Sequence, residues 1–256
     1  MKLNTVICGK AEDVLKTFSD GCIDLTVTSP PYDNLRMYHG YTFDFKKIAN
    51  ELFRVTKQGG VVVWVVGDAT INGSETGTSF KQALYFKEIG FNLHDTMIYL
   101  KNQLAFPSNT RYHQAFEYMF ILSKHELKTF NPICDRKNKS SDRPPSKRTE
   151  RNKKGELIRK KPVKVREYCE RFNYWLIYNL KRGLENEHPA TFPEKLARDH
   201  IYSWSNKGDI VLDPMCGSGT TLKMAKELGR NYVGIEISSE YCKIANNRLA
   251  QGVLQI

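Results

Sequence analysis

The chain has 256 residues, 40% of them apolar and 26% charged, with a formal net charge of +11 and a pI near 9.3. That length suits one large α/β domain, or one domain with an insertion, and can bury a sizeable core. No apolar run approaches the roughly 18–20 residues of a membrane span, MKLNTVICGK does not resemble a signal peptide, and six scattered cysteines without a CxxC pair argue against a zinc site or disulfide frame and for reduced thiols in the cytoplasm.

The charge is concentrated. Residues 124–187 hold 19 Lys and Arg against 9 Asp and Glu, which is nearly all of the excess. A localised basic block implies a polyanionic partner such as nucleic acid. The plainer alternative is a solvated, flexible loop.

In chain order, LNTVIC at 3–8 predicts a short strand, 11–18 a helix and IDLTVT at 23–28 a buried strand. DFKKIANELFRVT carries Phe45, Ile48, Leu52 and Phe53 at helical spacing and predicts a helix over 44–56, ended by Gly59-Gly60. VVVWVV at 61–66 reads as a central strand. A helix over 78–89, a strand near 93–100 and the strand FEYMFILS at 116–123 follow. From 124 to about 187 the pattern is lost, and the stretch NKSSDRPPSKRTERNKKGELIRKKPVK predicts a loop-rich insertion or small subdomain. Its one strongly apolar piece, FNYWLIYNL at 172–180, predicts a packing helix. Beyond it come a helix over 193–204, the strand DIVLD at 209–213, a helix over 219–228, the strand NYVGIEI at 231–237 and a last helix over 239–250. Alternating strands and helices, with near-continuous apolar strands, indicate an α/β fold with a mostly parallel, covered sheet.

Two stretches carry chemistry. The strand at 23–28 ends in Thr28-Ser29-Pro30-Pro31-Tyr32. Each proline lacks an N–H and holds the residue before it extended. The result is a stiff rim rich in acceptors, chiefly the Ser29 hydroxyl and the Pro30 carbonyl, with Tyr32 adding a flat face. That set suits a planar ligand carrying an amino group, although a rigid strand end would use the same residues. The second stretch, DIVLDPMCGSGTTLKMA at 209–225, is a strand, a Gly-rich turn and a helix start. Gly217 and Gly219 permit close backbone approach, and the turn's N–H groups attract an electron-rich group. Glu236, 23 residues after Asp213, stands at the next strand end, where an acid can accept ribose hydroxyls. The turn has neither the GxGxxG spacing nor a Walker lysine, which favours a smaller nucleoside bearing a carboxylate, such as S-adenosylmethionine, over a nicotinamide cofactor or ATP. Cys216 reads as a small loop residue.

Together these stretches resemble the DNA amino-methyltransferases, which methylate N4 of cytosine or N6 of adenine. TSPPY at 28–32 matches their catalytic motif, DPMCGSGTT at 213–221 and GIEIS at 234–238 their cofactor motifs, HPATFPEKLARDHI at 188–201 the segment before the cofactor strand, and FEYMFILSK at 116–124 the last strand before the recognition region. The order of motifs is that of the permuted β group. The resemblance implies a Rossmann-like methyltransferase fold, with a mostly parallel seven-stranded sheet, helices on both faces and a basic target-recognition insertion. It divides the chain into a catalytic half (1–123), a target-recognition region (124–187) and a cofactor-binding half (188–256).

The same resemblance implies catalytic roles for Ser29, Pro30, Pro31 and Tyr32. It assigns S-adenosylmethionine to Lys10, Ala11 and Thr28, to Pro189 and Phe192, to Asp213, Pro214, Cys216, Gly217, Ser218, Gly219, Thr220 and Thr221, and to Glu236 and Ile237. Arg143, Lys147, Arg148, Arg151, Arg159, Lys160 and Lys161 are expected to bind double-stranded DNA. No metal is expected. A cognate restriction endonuclease and a monomeric or homodimeric state are compatible with the family. One departure concerns the adenine end: relatives often carry Gly-Asp after the first strand, and this chain has Gly9-Lys10. Backbone around Lys10-Ala11, or Asp13, would then hold the adenine. Ser-Pro-Pro-Tyr usually accompanies cytosine N4, Asp-Pro-Pro-Tyr adenine N6, and the adenine alternative stays open. So do an RNA or protein amide substrate, disfavoured by the absence of Asn-Pro-Pro-Tyr and by the basic insert, and an inactive DNA-binding relative.

Overall fold

A computed structural model describes residues 1–31, 43–101, 110–142, 144, 148–162, 164–178 and 193–251. The chain opens with strand β1 (Thr5–Cys8), the short helix α1 (Ala11–Leu15) and strand β2 (Ile23–Thr28). Helix α2 (Phe45–Val55) starts where the Asp44 side chain accepts the Lys47 N–H, and it buries Ile48, Ala49, Leu52 and Val55 along one stripe. It runs directly into strand β3 (Thr56–Val66). The strand therefore begins earlier than VVVWVV suggests and passes through Gly59-Gly60. Thr56 is already extended, with ψ 132°, and pairs with Ile23.

A small hairpin, β4 (Thr70–Ile71) with β5 (Ser74–Glu75), leads to helix α3 (Thr78–Glu88), whose first turn is held by Asp68 accepting the Ser79 N–H at 2.8 Å. Strands β6 (Asn92–Lys101) and β7 (Phe116–Ser123) follow. Next come four short strands, β8 (Arg136–Lys137), β9 (Arg148–Arg151), β10 (Leu157–Lys160) and β11 (Tyr168–Cys169), then β12 (Tyr174–Ile177). The C-terminal part is α4 (Glu194–Trp204), β13 (Ile210–Asp213), α5 (Thr220–Glu227), β14 (Asn231–Glu236) and α6 (Ser239–Ala250).

The main sheet has the order β1-β14-β13-β2-β3-β7-β6-β12. β7 runs antiparallel to both of its neighbours, and every other pair is parallel. Both faces are covered, as near-continuous apolar strands require. Val27, Val63, Met119, Leu196, Ile201 and Leu222 pack on one side, and Leu15, Ile48, Leu52, Trp64 and Phe86 on the other. The buried Trp64 indole donates to Gln82 Oε1 at 2.8 Å, so its polar atom is satisfied.

Among the described residues the sheet has eight strands, where seven are expected. The eighth is β12, in the stretch for which the sequence predicts a helix. Trp175 and Ile177 are buried while Tyr174 and Leu176 are half exposed. This is the two-residue period of a strand, and β12 adds in parallel to β6 with Tyr174 opposite Ile98.

Residues Pro132–Phe172 form a second compact unit, narrower than the 124–187 block. It holds two isolated two-stranded antiparallel sheets, β9 with β10 and β8 with β11. Its two ends are joined by Arg171, whose N–H donates to the Ile133 carbonyl at 2.9 Å and whose Nε lies 3.1 Å from both Asp135 carboxylate oxygens. The Arg136 guanidinium lies 4.4 Å from the centroid of the Phe172 ring. All six cysteines are unbridged. No helix among the described residues is long and apolar enough to cross a membrane.

Candidate active site

The central strands β1, β14, β13, β2 and β3 are parallel, so their carboxyl ends share one edge. β13 connects through α5 to β14 on one side, whereas β2 leads to β3 on the other. β13 and β2 therefore flank the switch point, where open α/β sheets bind ligands. The register sets Leu212 opposite Thr26. Just beyond this pair, at the last residue of each strand, the buried Thr28 hydroxyl donates to Asp213 Oδ1 at 2.8 Å. The two motif-bearing stretches of the sequence, 185 residues apart at this contact, are thus joined by a direct hydrogen bond.

Asp213 is almost fully buried. Burial pushes its carboxyl up to about 6; the Thr28 and Thr221 hydroxyls and the Met215 N–H oppose that rise. Thr221 Oγ1 also lies 3.4 Å from the Val27 carbonyl, which sets the first turn of α5 against β2. Pro214 is buried behind this contact.

The turn then crosses to β14. Cys216 N–H donates to the Ile235 carbonyl at 2.9 Å, and Gly217 N–H donates to Glu236 Oε2 at 2.9 Å. Ser238 N–H donates to Glu236 Oε1 at 2.9 Å. Both carboxylate oxygens are thereby aimed by backbone, and each keeps acceptor capacity for a further donor. Gly217 has φ +50° and Gly219 φ +79°. Gly219 also packs against α6: a Cβ there would lie 3.1 Å from Ala245 Cβ. Its smallness therefore permits the close approach of α6. Burial raises the Cys216 thiol well above its ordinary value, so it is a poor nucleophile.

The Glu236 carbonyl accepts the Gly9 N–H at 2.9 Å, which brings the β1–α1 corner to the same edge. Lys10 caps α1 with extended backbone, and Ala11 is buried. Asp13 is exposed and pairs with Lys16 at 3.4 Å. Ile237 is exposed just beyond β14. Ser29 and Pro31 are half-buried and Pro30 is buried, directly beyond Thr28.

A brace escaped the sequence analysis. Arg248 on α6 donates to Ser218 Oγ at 3.2 Å and Thr220 Oγ1 at 3.0 Å, and also binds Glu194 Oε1 at 2.5 Å. Lys223 donates to the same Glu194 oxygen at 2.8 Å. Three helices, α4, α5 and α6, thereby hold the back of the turn. A lone arginine on an amphipathic helix gives no sequence signal of this role, because its partners are distant in the chain.

Tyr32, Pro189, Phe192, Arg143 and Lys147 lie outside the described residues. Arg148 is on β9; Arg151, Arg159 and Lys160 are exposed on the β9–β10 ribbon and Lys161 follows it. Among the described residues no cluster of His, Cys, Asp or Glu is gathered to hold a metal ion.

A family model described as DNA methylase (N6_N4_Mtase) matches residues 23–247. The chain is 58% identical over 246 residues to the orphan methyltransferase M.BamHII of Bacillus amyloliquefaciens, covering 93% of each. It is 31% identical to the type II methyltransferase M.HpaI of Haemophilus parainfluenzae, covering 95% of this chain and 73% of that one. Among solved structures, the cytosine-N4-specific PvuII DNA methyltransferase superposes with a TM-score of 0.71 at 19% identity, over 97% of this chain and 87% of the other. The M1.HpyAVI–SAM complex gives 0.68 at 24% identity, over 96% and 99%. At these identities the two structures speak for the fold, whereas the family match spans both motif-bearing stretches, 28–32 and 213–221. The chain belongs to the DNA methylase family of methyltransferases.

Proposed function

We propose that the chain transfers a methyl group from S-adenosylmethionine to the exocyclic N4 of a cytosine turned out of double-stranded DNA. The observation that carries this is the Thr28–Asp213 hydrogen bond, which joins the Ser29-Pro30 rim to the turn leading to Glu236. The donor set fits the cofactor: a backbone-aimed carboxylate for ribose hydroxyls and a glycine turn for the amino-acid end. Bound S-adenosylmethionine supplies a methyl group already activated on a sulfonium.

The chain's own residues position the amine. An exocyclic amino nitrogen is a poor nucleophile, because its lone pair is delocalised into the ring. Ser29 Oγ and the Pro30 carbonyl accept its two N–H hydrogens and hold it out of planarity. The lone pair is then aimed at the methyl, so positioning and electrostatic complementarity replace a strong base. Tyr32 stacks on the extruded base. The order of motifs, with 28–32 first, the basic block second and 213–221 last, is that of the β group. It supports dividing the chain into a catalytic half at 1–123, a target-recognition region at 124–187 and a cofactor half at 188–256. Lys10-Ala11 backbone, beside the Gly9–Glu236 hydrogen bond, meets the adenine; Asp13 is engaged with Lys16 instead.

Serine at position 29 is what favours cytosine over adenine, since both bases present the same amino group. Transfer of labelled methyl from S-adenosylmethionine to unmethylated duplex DNA tests the reaction. Label should enter DNA with the native chain and fall sharply with Ser29→Ala; a native chain that binds the cofactor yet labels no DNA would contradict it.

A further inference from the structure

The second compact unit contains a feature that a basic block alone does not require. β9 and β10 form a two-stranded ribbon that pairs with no other strand among the described residues. Every residue of β10 is exposed, so the ribbon has no buried face. It is nonetheless closely specified. Asn152 Oδ1 accepts the N–H groups of Lys154 and Glu156, each at 2.9 Å, and Asn152 N–H donates to the Glu156 carbonyl at 3.0 Å. That turn fixes the register: Arg151 opposite Leu157, Glu150 opposite Ile158 and Thr149 opposite Arg159.

Alternation then sorts the side chains. Thr149, Arg151, Leu157 and Arg159 share one face. Arg148, Glu150, Ile158 and Lys160 belong by register to the other, where Lys160 and Glu150 form an ion pair. The first face therefore presents two guanidinium groups and no carboxylate. Arg151 is steadied from within, its Nη1 donating to the Gly155 carbonyl at 2.9 Å. Arg159 has no hydrogen-bond or ionic partner among the described residues.

We propose that this ribbon enters the DNA major groove and that its Thr149–Arg151–Leu157–Arg159 face reads bases, Arg159 recognising a guanine. The proposal deepens the DNA methyltransferase function by naming the element that selects the target sequence. A major groove about 12 Å wide admits a two-stranded β-ribbon, whose strands lie only about 4.8 Å apart. Arginine pairs in two-pronged fashion with guanine O6 and N7, while threonine and leucine offer apolar contact to a thymine methyl. A ribbon that served only as a phosphate clamp would have no need of an exposed leucine beside its arginines.

The test uses the full chain and a pool of randomised duplexes, sequencing the bound fraction at two salt concentrations and measuring methyl transfer on the same pool. The native chain should enrich a defined sequence. Arg159→Ala and Arg159→Lys should both relax that sequence at one guanine, with discrimination there falling roughly 10- to 100-fold, as expected for one specific base contact. Arg159→Lys keeps the charge but loses the two-pronged geometry, so its salt dependence should stay native. Ile158→Ala, on the opposite face, should leave the enriched sequence unchanged. The proposal is overturned if the native chain enriches no sequence, if Arg159 variants enrich the native one, or if they weaken all duplexes equally with a salt slope reduced by about 0.9, the mark of a phosphate contact. A chain that enriches a sequence but transfers no methyl would instead contradict the reaction and leave the ribbon's role standing.

Discussion

Thr28 and Asp213 share a 2.8 Å hydrogen bond at the point where the sheet changes winding direction. Each residue ends its strand, and each precedes a segment with a separate task. Thr28→Val keeps the shape and removes the donor. A buried acceptor deprived of one partner costs about 1–3 kcal/mol. Cofactor affinity and transfer rate should fall together, by about tenfold, with the circular-dichroism spectrum unchanged. A variant with native affinity and rate would show that the two stretches work independently.

The buried Asp213 carboxyl makes a prediction about pH. Its value of about 6 in the fold lies above the ordinary 3.8. Between those values the folded chain holds a proton that the unfolded chain has lost. This group's contribution therefore favours folding less as pH rises from about 4 to 6, and its full cost is present above 6. Asp213→Asn removes that cost and keeps an oxygen for Thr28 and Met215, which both donate to Oδ1. Relative to the native chain, the variant should gain stability at pH 8, on the order of 3 kcal/mol, and lose that advantage by pH 4. Thermal melts across this range that showed the opposite trend would contradict the assignment.

The two turn glycines should separate by phenotype. Gly217→Val adds a β-branched side chain to a residue at φ +50° whose N–H orients Glu236, and it should abolish S-adenosylmethionine binding. Gly219→Ala meets Ala245 and a left-handed backbone. It should cost about 1–3 kcal/mol of stability while the folded fraction binds cofactor normally. Calorimetry paired with thermal melts distinguishes the two.

Glu236→Gln replaces an acceptor beside the Gly217 or Ser238 N–H with an amide donor. Hydrogen bonds to a charged partner contribute about 1.5–3 kcal/mol, so cofactor affinity should fall roughly 10- to 100-fold. Undiminished affinity would remove Glu236 from the ribose end.

Much of this arrangement was legible in the sequence because the pattern and the turn chemistry agreed. IDLTVT at 23–28 and FEYMFILS at 116–123 coincide with β2 and β7. The helices of the C-terminal part fall within a residue or two of their expected bounds. FNYWLIYNL failed because a continuous apolar run has no visible period, and only burial separates Trp175 and Ile177 from Tyr174 and Leu176. The β9–β10 ribbon was hidden for a different reason: its strands are charged on both faces, so no apolar alternation marks them, and the Asn152 turn alone sets their pairing. The Arg248 brace depends on contacts 28 and 30 residues apart in the chain, which no local motif encodes.

The most direct test of the central claim is the identity of the product. Unmethylated duplex DNA is incubated with the chain and S-adenosylmethionine, digested to nucleosides and analysed by mass spectrometry. N4-methylcytosine should appear, and Ser29→Ala should slow its formation by about one to three orders of magnitude, the loss expected for one polar transition-state contact, with cofactor affinity unchanged. N6-methyladenine without N4-methylcytosine would contradict the account and require the Ser29 rim to be rebuilt around a purine.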